Sequence, residues 1–255
     1  MDCFPFPEEM LMHRFYADPD RSSENLVYLT PEDARHAAVV LRLKAGQHIE
    51  IIKDNGRWEG EIVSVNSAEV RIRILSSLPS TEPALSITLY QGLPKYDKME
   101  LIIQKATELG AVRIVPLLMS RCVVRPDPKD MIRKLDRWRK IAREAGKQSG
   151  RCVIPEITDL FTLNQLTHTD LPSDINVVPW EEASGFGPLA FRNRYPALVS
   201  LGILIGPEGG IDKQEISALR SVGFLPITLG KRILRTETAG FAAISSFLSL
   251  YGEME

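Results

Sequence analysis

Two glycine-containing loops in the C-terminal third of the chain hold the residues best suited to chemistry. In the first loop, an apolar run that ends at Ile205 meets Gly206-Pro207-Glu208-Gly209-Gly210. In the second, Leu229-Gly230 leads through Arg235-Thr236-Glu237 into a predicted helix. Ligands in open α/β sheets bind outside the carboxyl ends of strands, and glycines there let a ligand approach the backbone. Tight turns and an exposed ion pair would explain each loop alone, but together the loops indicate one pocket.

The sequence also excludes several other classes of functional site. The first loop is not the dinucleotide fingerprint and lacks the G-K-[ST] ending of a phosphate loop, and the chain has no G-x-S-x-G hydrolase elbow. Three cysteines and four histidines are too scattered for a disulfide framework or a metal site, so we expect no metal and a reducing cytoplasm. No apolar run is long enough for a membrane span, and we expect no signal peptide.

Positive charge is concentrated in one stretch of an otherwise nearly neutral chain. The formal net charge is −2, yet residues 121–151 carry 11 basic and 4 acidic side chains. A concentration of this kind is the electrostatic footprint of phosphate binding, although a solvated helix face would look the same.

The elements that must position these residues fall into two predicted domains, 1–78 and 79–255. The first combines short strands, an Asn-Gly hairpin turn and a helix that starts at Pro31, which together suggest a small barrel. The second alternates short apolar strands with longer helices, which predicts an α/β fold with a mostly parallel sheet. Asp212, with Glu215 three residues on, is predicted to cap a helix that continues to about Val222, and the last strand and helix are predicted at 227–229 and 238–251. Another helix is predicted at 131–147, with an apolar stripe formed by Met131, Leu135, Trp138, Ala142 and Ala145.

The two loops also resemble those of a known family. The pattern Gly206-Pro207-Glu208-Gly209-Gly210, with Leu229-Gly230-x-x-Ile233-Leu234-Arg235-x-Glu237-Thr238-Ala239, is similar to the bacterial 16S rRNA (uracil-N3)-methyltransferases of the SPOUT superfamily. Gln91-Gly92-x-x-Lys95 with Lys98-Met99-Glu100, and the stretch 143–151, resemble further family motifs, so the resemblance covers nearly the whole chain.

The resemblance implies a trefoil knot between Val177 and about Ala243, an N-terminal PUA-like RNA-binding β-barrel, and a twofold homodimer. It implies methylation of N3 of a uridine, uridine 1498 of 16S rRNA in the small ribosomal subunit, with S-adenosyl-L-methionine as the cofactor. The implied cofactor-binding residues are Pro179, Trp180, Glu181, Ile205, Gly206, Pro207, Gly209, Gly210, Leu229, Gly230, Ile233, Leu234, Thr238 and Ala239.

For the reaction, we expect Arg235 to stabilise charge on the uracil, Glu237 to be a candidate proton acceptor and Glu208 an orienting group. Bulk water is the alternative proton acceptor. The candidate RNA-binding residues are Arg14, Arg42, Lys44, Lys95, Lys98, Arg121, Arg143, Gln148 and Arg151.

Two other functions compete with this interpretation. A ribose 2′-O-methyltransferase of the same superfamily would share the first loop but usually has an S-L-N-V-S-like second loop, which this chain lacks. A non-catalytic RNA-binding ribosome-assembly factor would keep the fold as a scaffold, and the intact loops with Arg235 and Glu237 argue against it. Fold alone does not establish function, so the expected activity depends on the residues of the two loops.

Overall fold

The computed structural model describes residues 12–254, which form two compact units that divide after Thr81. Among these residues, no helix is both long enough and apolar enough to cross a membrane.

The N-terminal unit is a curled five-stranded sheet with one helix. Its strand order is β1-β3-β4-β5-β2, and a bridge between Ala17 and Leu29 joins the two outer strands. Thr30 caps the helix by accepting a hydrogen bond from the Asp33 amide, and a π-helical turn (residues 36–40) extends it. The predicted small barrel therefore takes the form of a sheet that curls almost closed. The elements are β1 (Arg14–Tyr16), β2 (Leu26–Tyr28), α1 (Pro31–Arg35), β3 (His48–Lys53), β4 (Gly56–Val65) and β5 (Val70–Leu78).

The C-terminal unit is built on a seven-stranded sheet in which every described pair is parallel. The strand order is β12-β10-β11-β6-β7-β8, with β9 also paired to β7. Central strands β6 and β11 are buried almost throughout, as expected for a parallel sheet covered on both faces. The predicted α/β class and parallel sheet are thus confirmed. The strands are β6 (Ser86–Gly92), β7 (Ala111–Leu118), β8 (Glu156–Ile157), β9 (Phe161–Thr162), β10 (Ile175–Pro179), β11 (Ser200–Ile205) and β12 (Phe224–Ile227).

Helices α2 to α7 complete this unit. The amphipathic pattern of α3 is confirmed, because its predicted apolar stripe is buried while the basic side chains point outwards. Asp212 caps α6 and forms a capping box with Glu215, as expected. The helices are α2 (Lys98–Glu108), α3 (Pro128–Ser149), α4 (Leu163–Leu166), α5 (Pro188–Arg194), α6 (Lys213–Ser221) and α7 (Thr236–Leu250).

The last strand lies earlier than predicted. It occupies Phe224–Ile227 instead of residues 227–229, because β10, its only partner among the described strands, ends at Pro179 opposite Ile227. Residues 228 and 229 therefore leave the sheet and join the second glycine loop. The predicted knot is a property of the chain path that strand order does not specify, and it stays a prediction.

Candidate active site

A cavity of about 460 Å³ opens at the carboxyl ends of β10, β11 and β12. Its wall is formed by loop residues 179–181, 205–211 and 228–236, together with Lys98 and Ala239. Three parallel neighbouring strands thus deliver their following loops to one edge of the sheet, where α/β proteins bind ligands. The two glycine loops do line a single cavity, and the residues after β10 form its third side.

The first glycine loop (residues 206–210) is packed so tightly that larger residues would not fit at key points. A Cβ atom on Gly92, at the end of β6, would lie 2.7 Å from both Cδ and N of Pro207. Gly210 has a φ of +71°, which only glycine adopts without strain, and its amide donates to the Pro207 carbonyl. The Arg121 guanidinium donates to the Gly209 carbonyl at 3.0 Å. The loop is therefore a preformed cradle rather than a flexible segment.

A buried hydroxyl connects this loop to the second glycine loop. Thr236, the first residue of α7, donates through Oγ1 to the Gly206 carbonyl at 2.7 Å. The same oxygen accepts a hydrogen bond from Nε2 of the fully buried Gln91 at 2.9 Å, and that nitrogen also donates to the Gly92 carbonyl. Gln91, Thr236 and Gly206 thus tie the ends of three segments together beneath the cavity floor.

A cluster of three charged side chains forms the rim of the cavity. Lys98 Nζ lies 3.2 Å from Glu208 Oε1 and 3.2 Å from Glu237 Oε2. The Glu208 carboxylate also accepts the Lys95 amide at 3.0 and 3.2 Å. Partial burial acts to raise the pKa of Glu208, but hydrogen bonds from backbone amides and from Lys98 outweigh it, so the pKa is lowered. Glu208 is consequently an anion at neutral pH.

Arg235 lies at the cavity wall with its side chain exposed, directly before α7. It is the N-cap residue of that helix but makes no side-chain capping bond, and no ion pair to it is seen among the described residues. A guanidinium left unpaired beside a cavity is available to a ligand with negative charge. Its neighbour Ile233 is 84% exposed, so it borders the cavity without being enclosed.

The predicted cofactor residues are brought together with one exception. All of them line the cavity except Thr238, which is exposed on the first turn of α7. Of the predicted catalytic residues, Glu208 and Arg235 line the cavity, and Glu237 reaches its rim through Lys98. Sequence reasoning gave no role to Gln91 or Thr236, because a buried hydrogen-bond bridge between distant segments leaves no local pattern.

The predicted RNA-binding residues of the C-terminal unit fall into three groups. Arg143 and Gln148 are exposed on α3, as RNA contact requires. Lys95, Lys98 and Arg121 lie beside the cavity; Lys98 is held by two carboxylates and Arg121 by the glycine loop. Arg151 was predicted wrongly: it is 3% exposed, pairs with Glu82 and donates to two buried carbonyls. Its buried side chain therefore stabilises the segment that follows α3 and is not accessible to RNA.

In the N-terminal unit, Arg42 and Lys44 are exposed in the loop before β3, and Arg42 has a positive φ of 54°. Arg14 forms a two-pronged ion pair with the buried Glu50, which also binds Arg57. The charge of Arg14 is therefore largely compensated within the sheet. No group of side chains in residues 12–254 has the composition of a metal site.

Comparisons with known proteins agree with this geometry. A sequence model described as an RNA methyltransferase domain matches residues 81–248, and one described as an RNA methyltransferase PUA domain matches residues 29–75. The chain is 36% identical over 224 residues to ribosomal RNA small subunit methyltransferase E of Bacillus subtilis, covering 86% of this chain and 88% of that one. It is 30% identical to the protein of the same name from Synechocystis over 94% of this chain and 78% of that one.

A solved structure extends the likeness to three dimensions. The ribosomal RNA small subunit methyltransferase E of Neisseria gonorrhoeae, bound to S-adenosyl methionine, superposes with a TM-score of 0.80 at 30% identity, covering 94% of this chain and 98% of that one. Domain matches, sequence identity and backbone agree over nearly the full length of the chain. The chain therefore belongs to the ribosomal RNA small subunit methyltransferase E family of RNA methyltransferases.

Proposed function

We propose that this protein uses S-adenosyl-L-methionine to methylate N3 of a uridine in 16S rRNA of the small ribosomal subunit, by family resemblance uridine 1498. The observation that carries the proposal is the single cavity at three strand ends, with the unpaired Arg235 at its wall. Relatives and a solved neighbour with this architecture are named as small-subunit rRNA methyltransferases, and the neighbour binds S-adenosyl methionine.

The cavity suits the cofactor in size and in chemistry. Its volume of about 460 Å³ lies within the range of small-molecule sites. Apolar residues Ile205, Leu229 and Leu234 offer surfaces for an adenine ring, while the glycine loop leaves backbone groups open to its edge. When bound there, the cofactor supplies a methyl group that is already activated by the positive sulfonium. The protein then has to position the nucleophile in line with it.

Arg235 has the central role toward the RNA base. Uracil N3 is nucleophilic once its proton has left, and the negative charge then spreads over the two carbonyl oxygens. A guanidinium beside them stabilises that charge, and one such contact is worth roughly 2–4 kcal/mol of barrier. Glu237 and water are the two acceptors available for the N3 proton, and Glu208 orients the rim.

The basic face of α3 serves as a phosphate-binding surface. Lys140, Arg143 and Gln148 are exposed on it, whereas Arg137 and Arg139 are paired with carboxylates of neighbouring segments. Contacts to phosphates position an RNA without reading its sequence, which suits recognition of a folded ribosomal surface. The PUA-like unit supplies a second RNA contact through Arg42 and Lys44. We also propose the twofold homodimer that the family resemblance implies.

The test is product analysis with purified protein, labelled S-adenosylmethionine and small subunits from cells that lack this methylation. The rRNA is digested and its nucleosides are identified by mass spectrometry. Label in N3-methyluridine is expected, with Arg235→Lys reduced at least tenfold. Arg220 is exposed in the last turn of α6 and does not line the cavity, so the activity of Arg220→Met is expected to be unchanged. Label on a ribose would identify a 2′-O-methyltransferase instead. Cofactor binding without any label would refute the proposed reaction in favour of an RNA-binding assembly factor.

A further inference from the structure

Lys98 joins three segments that are far apart in the sequence. It is the first residue of α2, Glu208 lies in the first glycine loop, and Glu237 lies in the first turn of α7. One ammonium contacts both carboxylates at 3.2 Å. A cation at a helix N-terminus is disfavoured by the helix dipole, so α2 itself gains nothing from this lysine. Its position is explained by the two carboxylates it binds.

All three side chains are partly shielded from water, with exposed fractions of 27% for Lys98, 25% for Glu208 and 15% for Glu237. The hydrogen bond to Glu208 is the largest influence on Lys98, and it raises the pKa of the lysine despite the opposing effect of burial. Because Glu208 has a lowered pKa, this pair stays oppositely charged over the neutral range. Opposite charge at neutral pH therefore favours this ion pair at the rim.

The two carboxylates bound by Lys98 lie in or next to segments that line the cavity. Glu208 lies between the glycines of the first loop, and Glu237 lies two residues after Arg235. Movement of the first loop relative to α7 would separate the cofactor from Arg235, and small misplacements of reacting groups cost large factors in rate. A carboxylate that already neutralises an ammonium is also a poorer proton acceptor than a free one.

We propose that Lys98 is a positioning residue for the methyl transfer: it holds the first glycine loop against the start of α7 through Glu208 and Glu237. In this arrangement the two carboxylates are counter-ions of Lys98, and the uracil N3 proton leaves to water. The inference rests on the proposed function for its kinetic consequences, whereas the coupling among the three side chains is independent of which atom is methylated.

The first experiment compares Lys98→Met and Lys98→Arg with a matched control, Lys105→Met. Lys105 lies on the same helix and pairs with Glu108 at 2.7 Å, but it does not line the cavity. Single-turnover methylation, cofactor affinity and the unfolding midpoint are measured for each protein. Lys98→Met is expected to lower the methylation rate constant about 10- to 100-fold, Lys98→Arg to restore most of it, and Lys105→Met to leave it unchanged. A wild-type rate in Lys98→Met would overturn the proposal.

The second experiment asks whether Lys98 acts through the carboxylates. In a protein that already carries Glu208→Gln and Glu237→Gln, the further change Lys98→Met is expected to have less than a twofold effect on cofactor affinity and rate. Full additivity would overturn the proposal. Cofactor affinity is measured by calorimetry without RNA, so this experiment tests the coupling among Lys98, Glu208 and Glu237 whichever nucleoside is methylated. If the wild type produces no N3-methyluridine, only the proposed function is refuted.

The pH profile separates a counter-ion from a proton acceptor. With Glu237→Gln, the rate is expected to fall while its rise with pH keeps the wild-type shape, because ionisation of the uracil itself governs that rise. If Glu237→Gln instead abolishes the rise on the acidic side, Glu237 takes the proton and the counter-ion role is wrong.

Discussion

Replacing Thr236 with valine removes one buried hydroxyl and changes almost nothing else. The two side chains have nearly the same shape, and Thr236 is only 5% exposed. The hydroxyl donates to the Gly206 carbonyl at 2.7 Å and accepts from Gln91 at 2.9 Å. Thr236→Val therefore leaves one carbonyl and one amide N–H without a partner beneath the cavity floor.

The expected cost follows from these two orphaned groups. A buried polar group left without a partner costs about 1–3 kcal/mol, and Gln91 retains its second bond to the Gly92 carbonyl. We therefore expect a loss of about 2 kcal/mol in the free energy of unfolding of the C-terminal unit, a fall of about 4–8 °C in Tm. Because the broken bond joins the two glycine loops, cofactor affinity should also fall, by about tenfold.

Thermal unfolding and calorimetric titration with S-adenosylmethionine measure both effects. The matched control for stability is Thr238→Val, since Thr238 is exposed one half-turn further along the same helix and should leave Tm within 1–2 °C of the wild type. If Thr236→Val melts with the wild type, the hydroxyl does not join the loops. If it loses stability but binds the cofactor with full affinity, the bridge stabilises the fold without shaping the site.

Four further predictions concern individual residues. Gly92→Ala should abolish cofactor binding in calorimetry, because its Cβ would lie 2.7 Å from Pro207 and displace the first loop. Arg151→Met should destabilise the protein by about 3–5 kcal/mol in denaturant unfolding, because it leaves a carboxylate without its buried partner. Arg143→Met should keep wild-type stability but lower the salt dependence of RNA binding by about one unit of slope. Burial acts to raise the pKa of Glu50, but the ion pairs with Arg57 and Arg14 outweigh it, so the pKa is lowered from the ordinary 4.5. The stability that Glu50 contributes is therefore present above pH 4.5 and is lost as pH falls through the folded-state pKa. The hydrogen-exchange protection factors of the N-terminal strands, which correct for the intrinsic effect of pH on exchange, should fall in acid for the wild type and less for Glu50→Gln.

A different experimental outcome would contradict each of these predictions. Unchanged cofactor affinity in Gly92→Ala would mean that the loop tolerates a shift. A reduced salt slope in Arg151→Met, with stability intact, would return that residue to the RNA surface. Equal acid sensitivity of the wild type and Glu50→Gln would place the titrating group elsewhere in the unit.

Local patterns were sufficient for most of the elements. The capping box of α6, the proline start of α1 and the apolar stripe of α3 are all confirmed, because a cap or an amphipathic face depends on residues a few positions apart. The last strand was misplaced because its end depends on where β10 stops, and β10 is about 50 residues away along the chain. Strands β8 and β9 were missed because two residues are too few to show a period.

The same division applies to the site. The types and order of residues in the two glycine loops were enough to predict a shared pocket and the family, since strand-end loops with glycine meet at one edge of a parallel sheet. The partners of each charge depended on the tertiary structure alone: Lys98 lies between Glu208 and Glu237, and Arg151 is buried against Glu82. A sequence carries the identity of each charged group, whereas the energy of a charge depends on its burial and on its neighbours within a few ångströms, which only the folded chain brings together.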